Sequence, residues 1–362
     1  ITPGVSELSG KLMATDLQGN LIWVKPLMSG IAVTSPVELD NGEIVVCGAN
    51  LWSYNNRVNT RAVYTFKYSA NGEALLKDSL EFPSNFGDGC VPTFMDIIKI
   101  DNNNILIYGS INDYLTNSFD GFTLVYNLKT GNQTLRKFGY RTPDPGTPGT
   151  TVINNCIKTQ DGGYMFLGTV SGSTSLGNPD FIKAILIKTN ANFDTIWTRR
   201  YDYFKAAIYM NTPYAGNVIE MPNGGFRFCM NENTNFNYNQ FRGFVYEVSP
   251  TGDSLKARVI EGFNNQYCAA IHNDKHGNTL ALVTEYPAVL LPSFNGFFTQ
   301  INTKIHVYDA ELNLKYINPI QTERSDFYTA ICNTPQSKLA LFGLVATKSS
   351  THYTPGLMLL NF

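Results

Sequence analysis

The sequence predicts an all-β chain folded as a β-propeller of four-stranded antiparallel blades, six by the count of hairpins, with seven as the alternative. Three observations predict it: an apolar run that returns about every sixty residues, a short polar turn before each run, and a second polar-turned hairpin after it. Helical periodicity is convincing nowhere.

The apolar runs are 44-IVVCG-48, 105-ILIYG-109, 164-YMFLG-168, 226-FRFCM-230, 279-TLALV-283 and 339-LALFG-343, and their ends lie 61, 59, 62, 53 and 60 residues apart. They follow the turns DNGE, DNNN, QDGG, PNGG, KHGN and PQSK, a composition that accepts positive φ and joins antiparallel strands tightly. Strand-like runs such as 94-FMDIIKI-100, 152-VINNCIK-158 and 327-FYTAICN-333 precede the turns, so each unit opens with a hairpin, strands A and B. A second hairpin, strands C and D, follows, as in 62-AVYTFKYSANGEALLKDSL-80, 121-GFTLVYNLKTGNQTLRKF-138, 243-GFVYEVSPTGDSLKARVI-260 and 304-KIHVYDAELNLKYINPI-320. A fixed four-strand period fits propeller blades better than a sandwich.

One propeller domain over 1–362 is therefore expected. The chain opens on a C–D hairpin within 11–27, 12-LMATDLQGNLIWVKPL-27, that has no A and B strands before it. It is expected to complete the last blade with 327–362 and close the ring. The tail 356-GLMLLNF-362 also reads as a C strand, so it either adds a strand to the closing blade or marks a seventh blade.

Composition excludes several function classes. Charged residues are 15%, apolar residues 43% and aromatics 13%, which describes a packed globular chain and not a disordered one. The formal net charge is −2, with 27 basic and 29 acidic side chains, so no global field attracts nucleic acid or an anionic membrane. No apolar run is long enough to span a bilayer, and ITPGVSELSG lacks the basic start and apolar core of a signal peptide, so neither is expected within the sequence as given. The six cysteines (Cys47, Cys90, Cys156, Cys229, Cys268, Cys332) form no CxxC pair, which argues against zinc and thioredoxin-type chemistry, and no metal site is expected. GxSxG, P-loop and GxGxxG motifs are absent. The segment 85-NFGDG-89 carries calcium-type ligands without a specific spacing.

The stretch 157-IKTQDGGYMFLGTVSG-172, followed by 185-ILIKTNANFDTIWTRRY-201, resembles the DGGY-type propeller repeats of secreted Bacteroidetes proteins, a DGGY-xxxG hairpin and then a KTD-xxG-xxxW hairpin. The match is close in the third unit and partial elsewhere: Gly168 recurs as Gly48, Gly109 and Gly343, and Trp197 recurs only as Trp23. The resemblance implies an exported, extracytoplasmic protein of the periplasm or cell surface, as a surface lipoprotein or a subunit of an outer-membrane complex; it does not define one activity. A weaker echo, ATDLQGNLIW, is similar to the AxDxxTGxxxW motif of quinoprotein propellers but is one residue short and lacks the Thr, so no cofactor is expected.

Loop lengths locate the working surface. The A–B and C–D turns are short and share one face of a blade, whereas the B–C and D–A connections are long and share the other, where binding usually resides. The long segments include 49–61, 110–121, 169–181, 231–243, 284–300, 81–93, 139–151 and 201–216, and they are rich in Tyr, Trp, Phe, Asn, Ser and Thr. Aromatic faces with amides and hydroxyls suit a neutral glycan or a protein partner. The candidate ligand residues are Trp52, Tyr54, Arg57, Asp113, Tyr114, Arg141, Tyr203, Tyr238, Arg242, Tyr286 and Tyr353. Catalysis would need a carboxylate pair, as in glycoside hydrolysis, from among Asp88, Asp113, Asp120, Asp144, Asp180, Asp202, Glu232, Glu285 and Asp326; spacing does not show which of them meet, so a non-catalytic role is favoured.

Overall fold

The computed structural model describes residues 9–16, 20–29, 31–50, 62–81, 90–113, 118–138, 149–172, 181–201, 215–235, 240–260, 265–286, 302–320, 326–333, 338–346 and 353–361, and these contain strands and turns but no helix. The fold is a β-propeller of six antiparallel blades built on a four-strand plan. Two compact units divide the chain, Ile1–Asn154 and Asn155–Phe362.

In the first unit, Ser9–Thr15 (β1) and Leu21–Ser29 (β2) form a two-stranded sheet. The first blade has its A strand in two pieces, Ile31–Val33 (β3) and Val37–Glu38 (β4); both pair with Ile44–Asn50 (β5), followed by Ala62–Tyr68 (β6) and Ala74–Glu81 (β7). The second blade orders Cys90–Lys99 (β8), Asn104–Asp113 (β9), Ser118–Asn127 (β10) and Gln133–Phe138 (β11). Apolar residues of both blades, Val45, Cys47, Val63, Ile105, Ile107, Phe122 and Leu124 among them, form one buried cluster.

The third blade, Thr150–Lys158 (β12), Tyr164–Gly172 (β13), Phe181–Thr189 (β14) and Thr195–Tyr201 (β15), leads into the second unit. The fourth is Ala215–Glu220 (β16), Phe226–Asn235 (β17), Gln240–Val248 (β18) and Ser254–Val259 (β19). The fifth is Asn265–Asn273 (β20), Thr279–Tyr286 (β21), Asn302–Tyr308 (β22) and Leu314–Ile320 (β23). The sixth shows three strands, Asp326–Asn333 (β24), Lys338–Ala346 (β25) and Tyr353–Asn361 (β26). The tail therefore adds a strand to this sheet, with Leu357 opposite Phe342 and Leu360 opposite Leu339. Between these blades the core recurs, with Met165, Leu167, Phe228 and Phe244 in one cluster, Cys229, Val245, Ala281 and Val283 in the next, and Leu280, Val307, Leu339 and Leu341 in a third. Interdigitating apolar faces are what each four-stranded sheet lacks alone.

The repeat signature is consumed by this scaffold. In the A–B turn, the Asp161 carboxylate accepts hydrogen bonds from Gly163 N at 3.0 Å, Thr159 Oγ1 at 2.6 Å and the buried Lys188 Nζ at 2.9 Å. The Lys of KTN thus reaches back to the Asp of DGG, and a Cβ on Gly163 would come within 2.2 Å of the Thr189 carbonyl. Tyr164 stacks on Phe193 with ring centroids 4.6 Å apart. The Trp197 indole donates to the Pro250 carbonyl of the next blade's C–D turn at 3.1 Å and lies on Gly252; Trp23 does the same to Ala70 at 2.9 Å and lies on Gly72. Both glycines have φ near +80°, a conformation that costs glycine little, and neither leaves room for a Cβ beneath the ring.

Two B–C segments are shorter than their composition suggests. Within 110–121 and 231–243 the ladders β9–β10 and β17–β18 continue, leaving only 114–117 and 236–239 between strands. The backbone ladder holds these hairpins where the side chains have already turned polar, as in the pairs Phe119–Asn112 and Glu232–Arg242.

The A strands carry an irregularity at a common place: register shifts at Thr93/Asp96, Ala215/Val218, Cys268/Ala270 and Tyr328/Ala330, and the break between β3 and β4. Backbone amides freed there are bonded by side chains from the neighbouring blade. Asp96 accepts from Ser35 N at 2.9 Å, Asn155 from Val218 N at 3.0 Å, and Asn217 both accepts from Ile271 N at 2.6 Å and donates to Ile271 O at 2.8 Å. Bulges that expose backbone groups require such partners when buried.

Candidate functional site

The end of each blade that carries the B–C and D–A connections is built from the last residues of strand B and the first of strand C. In the first unit, Asp120 of β10 faces Lys137 of β11 at 3.3 Å, so this carboxylate is part of an ion pair within its own blade.

In the second unit, Glu232 on β17 and Glu285 on β21 occupy the same position, two residues beyond the aligned Met230 and Val283. Their surroundings differ. Glu285 is 8% exposed, bonded to Lys304 Nζ at 2.7 Å and to Gln266 Nε2 at 3.0 Å. Glu232 is half-buried opposite the exposed Arg242; burial pushes its carboxyl above the usual range, and the guanidinium charge offsets this only in part. Glu285 is thus tied into an ion pair and a side-chain hydrogen bond, whereas Glu232 is the carboxyl that burial raises. Beside them, Asn231 uses both ends of its amide on Cys268, accepting from N at 2.6 Å and donating to O at 2.9 Å, which fixes the end of β17 against β20.

His306 lies behind this surface on β22, fully buried between Lys304 and Tyr308 in sequence and opposite Ala281. Among the described residues neither of its ring nitrogens has a hydrogen-bond partner, and burial, opposed by Glu285 and aided by Lys304, lowers its pKa to about 4. It is a neutral core residue. His272 and His306 lie in strands and His276 in an A–B turn, as their sequence positions suggest.

Of the sequence-predicted ligand residues, Arg242 is placed with its side chain exposed at the loop end of β18. Asp113, Tyr286 and Tyr353 lie at the loop ends of β9, β21 and β26, placed by their backbones. Trp52, Tyr54, Arg57, Tyr114, Arg141, Tyr203 and Tyr238 lie outside the described residues, as does 85-NFGDG-89. Among the described residues no group of three or more His, Cys, Asp or Glu side chains is placed to hold a metal ion. No helix of the described residues is long and apolar enough to cross a membrane. Sequence reasoning grouped Glu232 and Glu285 with other loop acids; the signal that separates them was the repeat alignment, which gives them one strand position with a cation on each facing strand, Arg242 and Lys304.

No family model and no curated protein matches the chain. Solved structures do. An α-L-arabinofuranosidase of Fusarium graminearum, in complex with arabinobiose, is similar at 11% identity and TM-score 0.54 over 92% of this chain and 93% of that one. An α-L-arabinanase of Penicillium chrysogenum, also with arabinobiose, matches at 12% identity and TM-score 0.52 over 90% and 93%. A protein of unknown function from Bacteroides caccae covers 83% of this chain and 86% of its own at 13% identity and TM-score 0.43. At these identities the likeness is one of fold, and the chain is an all-β propeller by its own strand order and by this comparison.

Proposed function

We propose that the chain is an exported, non-catalytic propeller that binds a neutral glycan on the long-loop ends of its blades. The observation that supports it is the division between the two ends. The short turns spend their Asp, Lys, Trp and Gly residues on scaffold contacts, whereas the long connections are rich in aromatic, amide and hydroxyl residues in sequence. Two of the described carboxylates at that end are matched by cations, Asp120 by Lys137 and Glu285 by Lys304, which favours recognition by apolar area and hydrogen bonds over charge. A protein partner, as in an outer-membrane assembly, would use the same face.

A glycan array followed by calorimetry tests this. Tyr238→Ala and Trp52→Ala are expected to weaken the glycan that binds by tenfold or more each; unchanged affinity in both variants removes the reading. Fractionation of the native host should place the chain outside the cytoplasm.

Glu232 favours a second reading, a carbohydrate-active enzyme. Its carboxyl, raised by burial at a loop end, has the character of a general acid, and arabinan-degrading enzymes show that such a fold accommodates glycoside hydrolysis. Release of reducing ends from arabinan, lost in Glu232→Gln, would establish it in place of the binding role.

A further inference from the structure

We propose that Cys229 and Cys268 form a disulfide bond joining the fourth and fifth blades when the chain folds in an oxidising environment. Cys229 lies on β17 and Cys268 on β20, strands of different sheets, and both side chains are fully buried in one cluster. The Cys229 Sγ donates to the Cys268 carbonyl oxygen at 4.0 Å, which brings the thiol of one blade onto the backbone of the other cysteine.

The backbones that carry them are clamped together. Asn231 bonds both the N–H and the carbonyl of Cys268, and Asn217 does the same to Ile271. Glycines permit the approach: a Cβ on Gly216 would lie 2.2 Å from the Cys229 Sγ, and one on Gly243 would lie 3.2 Å from the Cys268 Cβ. Close, fixed approach of two side chains is what a disulfide requires. The other described thiols differ. Cys47 faces the Thr65 hydroxyl at 3.6 Å, and Cys332 is exposed.

The oxidant is a small-molecule or protein disulfide. One thiolate attacks it, releasing one thiol and leaving a mixed disulfide; the second thiolate displaces the other half, so two protein thiols and one disulfide yield one protein disulfide and two thiols. Burial raises the Cys268 thiol well above its ordinary range, which leaves little thiolate once the blades have closed. Bond formation therefore belongs to folding, before water is excluded.

The test uses the full chain, unfolded with reductant, refolded in mixed reduced and oxidised glutathione, then alkylated and peptide-mapped. The expected result is a linked peptide joining Cys229 to Cys268 that disappears on reduction, with Tm falling by about 5 °C when the bond is reduced. Cys268→Ala should lose both the linked peptide and the redox dependence of Tm. Recovery of both cysteines in alkylated form from natively folded, oxidised protein, or linkage of either to a different cysteine, overturns the proposal.

Discussion

Phe193 and Leu312 stand, in the third and fifth blades, where Gly72 and Gly252 stand in the first and fourth. All four have positive φ, at 63°, 58°, 78° and 81° respectively. A non-glycine residue there is strained by about 1 kcal/mol, yet Leu312 is 1% exposed in the core and Phe193 stacks on Tyr164. Packing decides the outcome. Leu312→Gly should relieve the strain but remove a buried side chain, for a net loss of about 2 kcal/mol in urea unfolding. Gly252→Ala should also cost about 2 kcal/mol, because it adds strain and drives a Cβ into the Trp197 ring. His306 supplies a pH dependence. Its folded pKa of about 4 lies below the ordinary 6.5, so the unfolded chain binds the proton more tightly. Stability from this residue is intact above pH 6.5 and is lost as pH falls from 6.5 towards 4, by up to about 3 kcal/mol. His306→Leu should flatten the acid side of a Tm-versus-pH curve between those values; an unchanged slope would assign the acid sensitivity to other groups.

At the scale of strands and hairpins, what sequence could reveal followed from how local the cause is. The A–B and C–D hairpins were legible because their turns announce themselves in two to five residues of Asn, Asp and Gly, and Gly42, Gly162, Gly224 and Gly277 all take φ near +80°. The hairpin extensions beyond Ile111 and Asn231 were not, because polar side chains conceal a ladder held by backbone hydrogen bonds. Inter-blade bonds were hidden more deeply: the partners of Asn155 and Asn217 lie 63 and 54 residues away. Only aligning the units places Asp96, Asn155 and Asn217 at one inner-strand position. Asn217→Ala leaves the Ile271 N–H and C=O without these partners and should cost about 2–3 kcal/mol of stability, with faster amide exchange at Ile271 as the local readout.

For the molecule as a whole, the architecture was readable because it repeats, so each unit corroborates the next. The site was not, because ligand contacts depend on which loop side chains converge, and convergence is a property of three-dimensional closure that no spacing along the chain reports. The residues of the DGGY stretch illustrate the difference. Asp161, Gly163, Tyr164, Lys188 and Trp197 all have structural partners, and Asp161 shows the strength of that wiring: burial pushes its carboxyl up, but hydrogen bonds from Lys188, Thr159 and Gly163 outweigh it and hold the pKa at about 2. The motif thus builds the short-turn end, and the proposed recognition role falls to the opposite end. Calorimetric titration of a glycan identified by array, against Tyr238→Ala/Arg242→Ala and against Asp161→Asn, sets the two ends against each other. The loop-end double variant should lose at least tenfold in affinity while Asp161→Asn lowers Tm with affinity unchanged; affinity lost in Asp161→Asn and retained in the loop-end variant would contradict it.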